Sequence, residues 1–180
     1  MTAHTFEQAP SGRSKCRGCG AVIGKGEVRF GERLPNPFGD GDMTHWLHPL
    51  CAAHRRPESF LEAIEAIEAI ETLDFPLEDA DELRSSAQRA LAHHRLQRLG
   101  NAERASSNRA RCRHCRELID KGAWRLPLIF FEDDTYNSSG FIHASCVRDY
   151  VETDEHWPTV ACFAQALAPD ELTSLREACS

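Results

Sequence analysis

The sequence predicts an α+β fold built from two small sheet-and-helix modules, each followed by a helical segment. A cysteine-containing stretch, "GRSKCRGC" at residues 12–19, returns as "SNRARCRHC" at residues 107–115. Each copy continues into a Lys-Gly pair and an alternating apolar stretch, which is typical of a tight turn and a strand. Apolar residues at helical spacing then follow each copy. A chain of 180 residues has room for two such domains.

The composition narrows the classes of protein that fit. Aromatic residues are 8% and charged residues 27% of the chain, which argues against a single large core. No run of 18 apolar residues is present, and the opening "MTAHTFEQAP" lacks a basic region followed by an apolar one. We therefore expect no membrane span, no secretory signal and an intracellular protein, in the cytoplasm or nucleoid of a bacterium or the nucleus of a eukaryote. In such reducing compartments, eight cysteines favour metal binding over disulfides.

The cysteines and two histidines form two equal sets. The first module is expected to span residues 1–56 and the second residues 101–152. In each, Cys-x-x-Cys is followed by His-x-x-Cys, after 28 intervening residues in the first and 27 in the second. Three thiolates and one imidazole fill a tetrahedral zinc site and leave no open position, so both zinc ions are expected to be structural. Disulfides or an iron–sulfur cluster are the alternative. The predicted ligands are Cys16, Cys19, His48 and Cys51, and Cys112, Cys115, His143 and Cys146.

The local pattern around the ligands predicts the elements of each module. Lys25-Gly26 and Lys121-Gly122 suit a tight turn, and the residues beyond each pair alternate as strands do. A second strand is expected to run into the histidine through "MTHWLH" and "SGFIH". A short helix then carries the last cysteine, because His-x-x-Cys places two ligands on one helical face. Modules this small are unfolded without their metal.

Helical segments are predicted at residues 57–100 and 153–180. In the first, apolar residues recur at steps of three and predict a helix, the set being Leu61, Ile64, Ile67, Ile70 and Leu73. A second helix is expected to start at Pro76 and to stop near Gly100. "EDADELRSSAQ" in this segment resembles "APDELTSLREA" near the end of the chain. Residues 99–108 are the expected linker.

Charge is segregated along the chain, although the formal net charge is −7. Residues 11–56 carry a net +4 and residues 84–116 a net +8, whereas residues 57–83 carry −10 and residues 117–180 carry −8. The cysteine knuckles are therefore basic and the helical segments are acidic. Because exposed charges act over about 10 Å at physiological salt, local basic faces govern attraction to phosphates. The alternative is that these are ordinary solvated faces beside a metal site.

A known family combines these motifs. The stretch "SGRSKCRGC…IGKGEVRF…HWLHPLC" closely resembles the zinc fingers of poly(ADP-ribose) polymerase, which also occur in a DNA ligase of animal cells. "SNRARCRHC…LIDKGAWRL…FIHASC" resembles the second finger of the same pair. The resemblance covers both fingers and, more weakly, the helices after them. It implies tandem fingers that recognise DNA breaks by structure. Nothing resembles the polymerase's catalytic domain, so we expect a protein that is not an enzyme.

The resemblance also assigns residues. In that family, arginines grip the DNA backbone while apolar side chains on a loop stack on base pairs exposed at a nick or end. The grip falls on Arg13 and Arg29 in the first finger and on Arg109 and Arg125 in the second. Stacking falls on Phe38 and Met43 in the loop "PNPFGDGDMTHW". The neighbouring Lys15 and Arg111 are expected to extend the DNA-binding surface.

The second finger departs from this pattern. Its corresponding loop, "FFEDDTYNSSG", holds Glu132, Asp133 and Asp134, which repel a phosphate backbone. Phe131 or Tyr136 is left there as a stacking candidate. This finger is therefore expected to bind DNA weakly.

The other notable residues have structural interpretations. His93, His94 and the carboxylates of residues 78–82 are expected on solvated helix surfaces rather than in a catalytic site. Cys162 and Cys179 fit neither ligand set and are expected to be buried. Three further histidines are expected to face phosphates or solvent, namely His45, His54 and His114. Trp46 is expected to pack beside the first zinc site.

Two classes of function remain at this stage. The favoured one is a zinc-dependent DNA-binding protein that detects nicks or ends and acts in DNA repair, with a repair enzyme as its partner. The alternative is an adaptor whose zinc modules are scaffolds and whose acidic helices meet a protein partner. RNA binding or a minor catalytic role is a further alternative. Neither the oligomeric state nor the preference between nicks and ends follows from the sequence.

Overall fold

The computed structural model describes residues 4–70 and 73–180, and the chain divides into two compact units, Met1–Ala92 and His93–Ser180. Each unit holds one three-stranded sheet, one Cys/His cluster and several helices. This is the expected small α+β architecture with two metal-binding modules. Within the described ranges, no helix is both long and apolar enough to cross a membrane.

The sheet of the first unit is antiparallel and has the strand order β1-β2-β3. Its strands are β1 (Thr5–Gln8), β2 (Val28–Pro35) and β3 (Asp42–Leu47). Both strands after the Lys-Gly turn were expected, whereas β1 was not. Phe6 on β1 joins Phe30 and Phe60 in a buried cluster with ring centroids 5.3–5.5 Å apart. Edge-to-face packing of this kind stabilises a small core beyond the area that it buries.

Three helices complete the first unit: α1 (Pro49–Arg55), α2 (Pro57–Ile70) and α3 (Ala80–Ala92). α1 carries Cys51 and packs against α3, which also contacts α2. Along α2, Ile64 is buried and Glu65 is exposed, as the spacing predicts. The expected extension of α2 to Leu73 passes through residues 71–72, which lie outside the described residues.

The second predicted helix is shorter than expected. Instead of running from Pro76 to near Gly100, α3 begins after Asp79, whose φ of 55° is left-handed. The Asp79 carbonyl accepts the Leu83 N–H at 2.9 Å, which is the first hydrogen bond of the helix. It ends before His93, whose φ of −129° and ψ of 78° cannot continue a helix. A 3-10 helix follows at His94–Arg98 and belongs to the second unit. The unit boundary therefore lies before His93, whereas the sequence places the helical segment through residue 100.

A buried carboxylate joins the sheet of the first unit to its helices. Glu32 on β2 is fully buried, and both of its oxygens accept hydrogen bonds from Arg56 Nε, at 2.7 and 2.9 Å. The Ser59 hydroxyl donates to the same carboxylate at 2.6 Å. Because Arg56 and Ser59 lie at the junction of α1 and α2, these bonds fix where the helical segment leaves the metal-binding module.

The second unit repeats the sheet in the order β4-β5-β6, again antiparallel. The strands are β4 (Glu103–Arg104), β5 (Trp124–Glu132) and β6 (Thr135–His143). The core contains Leu96, Leu126, Ile142 and Leu175, all fully buried. The Gly100 N–H donates to the Pro127 carbonyl at 2.8 Å, which attaches the segment after the 3-10 helix to β5.

The stretch 130–140 is a β-hairpin and not the loop that the sequence suggested. β5 and β6 pair up to Glu132 and Thr135, leaving a two-residue turn of Asp133 and Asp134. Both turn residues have positive φ, 50° and 57°, as a type I′ turn requires. Aspartate tolerates this conformation because its short side chain bonds locally. Phe131 and Tyr136 face each other across the strands with centroids 4.9 Å apart.

Short helices close the second unit. A 3-10 turn at Ala144–Cys146 leads into α4 (Val147–Val151), which is followed by α5 (Trp157–Cys162) and α6 (Pro169–Ala178). Cys162 and Cys179 are buried, as the sequence analysis expected. Burial raises the pKa of the Cys179 thiol to about 12, so this cysteine is an unreactive part of the core.

Candidate metal centres and nucleic-acid interface

The first metal centre brings together four side chains from distant parts of the first unit. Cys16 and Cys19 lie in the knuckle before β2, His48 follows β3, and Cys51 lies in α1. Their ligand atoms are all within 4.8 Å of one another. His48 Nδ1 is 3.5 Å from Cys19 Sγ and 3.9 Å from Cys51 Sγ. Zinc bonds of about 2.3 Å to sulfur and about 2.0 Å to nitrogen, at tetrahedral angles, separate such atoms by about 3.5 Å. This centre fits one structural zinc ion.

The second metal centre has the same construction. Its ligand atoms, from Cys112, Cys115, His143 and Cys146, are also within 4.8 Å of one another. His143 Nδ1 is 3.4 Å from Cys115 Sγ and 3.9 Å from Cys146 Sγ. The predicted ligand sets are thus the ones that the fold assembles, and the chain has two Cys₃His zinc-binding sites.

Backbone hydrogen bonds prepare one thiolate in each centre. Cys16 Sγ accepts the Gly18 N–H at 3.3 Å and the His48 N–H at 3.4 Å. Hydrogen bonds from Cys19 and then from Cys51 lower the pKa of the Cys16 thiol to about 2. Cys112 Sγ accepts the His143 N–H at 3.4 Å in the same way. Zinc binds the thiolate form, so these donors favour the state that holds the metal.

The histidine ligand bonds to a backbone carbonyl in both centres. His143 Nε2 lies 3.1 Å from the Leu118 carbonyl oxygen, a bond that leaves Nδ1 free for zinc. His48 bonds in the same way to the backbone of Val22, the position equivalent to Leu118, and its Nε2 is also 4.0 Å from the Glu27 carboxylate. The pKa of His48 is raised, first by its hydrogen bond with Cys19 and then by the charges of Cys19 and Glu27.

Arg29 and Arg125 occupy equivalent, mostly buried positions. Arg29 donates to Glu7 on β1 from Nε at 3.1 Å and from an NH group at 2.5 Å, and its guanidinium lies 3.6 Å from the Trp46 ring centroid. Arg125 donates to Glu103 on β4 at 2.8 and 2.5 Å. Its guanidinium lies 3.7 Å from the ring centroid of Phe141. Both arginines therefore join the first strand of a sheet to an aromatic residue on the third.

The other predicted cations are exposed. Arg13, Lys15, Arg109 and Arg111 all have exposed side chains beside the first cysteine of a knuckle. Arg13 and Lys15 line an open cavity of about 600 Å³ in the first unit, together with Arg17 and two residues of β3. Arg17 was not among the predicted DNA-binding residues, although it lies between two zinc ligands in a basic knuckle.

The two predicted stacking residues differ in exposure. Phe38 lies in the loop between β2 and β3 and is 88% exposed. The loop is closed by a hydrogen bond from the Asn36 N–H to the Gly41 carbonyl, and the Asn36 side chain accepts the Phe38 N–H at 3.0 Å. Met43 instead lies within β3 opposite Leu34, where it is half-buried. Phe38 is the better-placed of the two to meet a ligand.

Two of the histidines near the ligands are not on the surface. His45 and His54 are 6% and 1% exposed, whereas only His114 has the exposed side chain that was expected for all three. Burial, followed by the charges of Arg89 and Arg55, lowers the pKa of His54 to about 4. His54 is thus a neutral part of the contact between helices.

Comparison with known proteins identifies the family of the first unit. Residues 7–94 match the family model described as the poly(ADP-ribose) polymerase and DNA-ligase zinc-finger region. Poly [ADP-ribose] polymerase 1 of Oryza sativa subsp. japonica is 31% identical over 144 residues, covering 78% of this chain and 14% of that protein. The Gallus gallus protein of the same name is 32% identical over 133 residues, covering 67% and 13%. Poly [ADP-ribose] polymerase of Drosophila melanogaster is 24% identical over 167 residues, covering 88% and 16%.

The chain spans only 13–16% of the length of these three relatives. The family model matches residues 7–94, which coincide with the unit that holds the first Cys₃His centre. The matches to the three relatives cover 67–88% of this chain and so extend into the second unit. Residues 7–94 are therefore a zinc finger of the poly(ADP-ribose) polymerase type.

Proposed function

We propose that this chain is a zinc-dependent DNA-binding protein that recognises strand breaks by backbone contacts and base stacking. The observation that carries the proposal is the arrangement around β3. The loop that presents Phe38 leads directly into β3, and two residues of β3 form one wall of the cavity that Arg13 and Lys15 line. β3 thus connects the loop that presents an exposed aromatic side chain to one wall of the basic cavity.

The two features suit different parts of a broken duplex. Cations bind phosphates on continuous and broken DNA alike, because both present the same backbone. A break also exposes the face of its terminal base pair, which continuous duplex keeps stacked. An aromatic side chain can cover such a face, with stacking worth about 1–3 kcal/mol per base. Phe38 therefore supplies the preference for a break, and the cations supply affinity.

The second unit supports a second finger of the same type. It repeats the ligand geometry, the strand order and the Arg–Glu pair of the first unit, and it presents Arg109 and Arg111 on its knuckle. Its hairpin ends in two aspartates where the first unit has the loop with Phe38. In this proposal, the second finger contributes phosphate contacts and little stacking.

A binding comparison tests the proposal. The full chain, loaded with zinc, is titrated against matched nicked, blunt-ended and closed-circular duplexes at several salt concentrations. We expect tighter binding to broken DNA, an affinity that falls steeply with salt, and loss of binding when a chelator removes zinc. Equal affinity for all three DNAs contradicts break recognition, and a flat salt dependence favours the adaptor function with a protein partner.

The proposed role is that of a binding protein which marks a break for a separate repair enzyme. The matched region of the relatives is their zinc-finger region, which supports binding rather than catalysis. A pull-down on nicked DNA, compared with intact DNA, tests whether a repair enzyme joins the complex.

A further inference from the structure

A basic cavity of about 600 Å³ lies between the zinc knuckle and β3 of the first unit. Arg13, Lys15 and Arg17 form one side of it, and Thr44 and Trp46 of β3 form the other. The Arg17 N–H donates to the Trp46 carbonyl at 2.9 Å, so a main-chain bond ties the two sides together. The metal centre at Cys16 holds the knuckle in place, so the cavity is preformed.

The three cations of this cavity have no anionic partner. Across the described residues 4–70 and 73–180, the side chains of Arg13, Lys15 and Arg17 make no ion pair or hydrogen bond, and no carboxylate lines the cavity. Arg29, by contrast, is already neutralised by Glu7. A zinc ion with three thiolates carries a net charge of about −1, so the cavity retains an excess of positive charge. Such a site fits a ligand with more than one negative charge.

We propose that this cavity binds the terminal phosphate monoester at a DNA break. The inference rests on the proposed function and goes beyond it, because it names the chemical group that the first unit reads at the break. A backbone phosphate is a diester with a single negative charge. A terminal phosphate monoester carries about −1.5 to −2 at pH 7 and offers three acceptor oxygens. The three cations that line the cavity match the charge and the oxygen count of a monoester better than those of a diester.

The monoester can come from either side of a break. A 5′-phosphate and a 3′-phosphate share the same charge and oxygen geometry, so the structure assigns the chemistry and the experiment decides the source. Because a break carries a monoester only at its ends, recognition at this cavity and stacking by Phe38 report on different features of the same lesion.

The test uses the full zinc-loaded chain and four DNAs of one sequence: a nick with a 5′-phosphate, a nick with a 3′-phosphate, a nick with hydroxyls on both sides, and the intact duplex. We expect at least one phosphorylated nick to bind about tenfold more tightly than the hydroxyl nick, from charge-assisted hydrogen bonds. Arg17→Gln and Lys15→Gln should each remove most of that difference. Arg33→Gln is the matched control, because Arg33 is exposed on the same unit and does not line the cavity.

Zinc content of two ions per chain, measured for each variant, shows that the knuckle has folded. Equal affinity for phosphorylated and hydroxyl nicks overturns this inference and leaves break recognition intact if both nicks still bind more tightly than intact duplex. A phosphate preference that survives in both cavity variants also overturns it, because the preference then lies elsewhere. Equal binding to nicked and intact duplex contradicts the proposed function instead, so the two failures are distinguishable.

Discussion

Phe38 is the residue whose replacement tests the stacking mechanism most directly. It is 88% exposed on a closed loop, so an alanine there removes a contact surface without disturbing the core. From a stacking energy of about 1–3 kcal/mol, Phe38→Ala should weaken binding to nicked DNA about 5- to 150-fold and leave binding to intact duplex unchanged. Val22→Ala is the control, since Val22 is an exposed apolar residue of the same unit outside the loop. An unchanged ratio of nicked to intact affinity in the Phe38 variant rules out stacking by this loop.

Replacing Arg13 and replacing Arg29 should have different effects, although both residues were predicted to bind the DNA backbone. Arg13 is exposed, so Arg13→Ala should weaken DNA binding without unfolding the unit and reduce the salt slope by about one unit. Arg29 holds Glu7 and stacks on Trp46, so Arg29→Ala should destabilise the first unit by about 1–3 kcal/mol. Urea unfolding separates the two effects: an Arg29 variant with unchanged stability contradicts the structural role.

The buried His54 should make the stability of the first unit depend on pH. Its pKa is about 4 in the folded unit and about 6.5 in an unfolded chain, so the unfolded state binds more protons between these values. The stabilisation that neutral His54 gives to the folded unit is therefore complete above pH 6.5. As the pH falls towards 4, the free energy of unfolding decreases by up to about 3 kcal/mol. His54→Gln should flatten this dependence. Urea midpoints at pH 7 and pH 5, with zinc in excess, measure the difference, and parallel losses in both proteins exclude the assignment.

At the level of elements, the β5–β6 hairpin controls what the second unit can meet. Its tip presents Asp133 and Asp134 beside Glu132, and like charges repel a phosphate backbone. Replacing the turn by Asn-Gly keeps the positive φ that the turn needs and removes both charges. We expect DNA affinity to rise about two- to fivefold at low salt and the gain to vanish at high salt. Asp149→Asn, exposed on α4, is the control; an equal gain there indicates a general charge effect.

A buried carboxylate fixes the helices that follow the first sheet, and the second unit has no equivalent at that position. The buried Glu32 receives bonds from Arg56 and Ser59 at the α1–α2 junction, whereas the equivalent position in the second unit is Leu128 on β5. The first unit therefore joins its sheet to its helices through a buried charge, and the second through apolar contacts. A buried, fully bonded carboxylate specifies one geometry more strictly than an apolar contact does.

At the level of the whole molecule, two units with separate zinc sites should unfold separately. Cys16→Ser removes a ligand from the first centre and Cys112→Ser removes the equivalent ligand from the second. Because zinc binding supplies folding free energy to small modules, each variant should bind about one zinc ion and lose the fold of only its own unit. Metal analysis with backbone NMR spectra checks both. Loss of both folds in either variant contradicts the independence of the units.

The sequence alone determined the features that depend on local spacing. The eight zinc ligands, the Lys-Gly turns and the two strands beyond each turn follow from short motifs, because ligand type and spacing fix what a zinc ion can bind. The repetition of one pattern at two places made two modules the expected architecture. The helix of residues 57–70 followed from its periodicity.

Only the tertiary structure decided the features that depend on pairing between distant segments. β1 and β4 are too short to show a period, and each pairs with a strand about 22 residues further along the chain, where Glu7 meets Arg29 and Glu103 meets Arg125. The same spacing between glutamate and arginine is present in both halves of the sequence, but only the sheet shows that the two residues of each pair are in contact. Likewise, the hairpin at Asp133 and the burial of His54 depend on partners that local patterns do not name. Long-range contacts decide between conformations that a short stretch of sequence permits equally well. For this reason the fold distinguishes the buried Arg29 from the exposed cations of the cavity, whereas the sequence pattern does not.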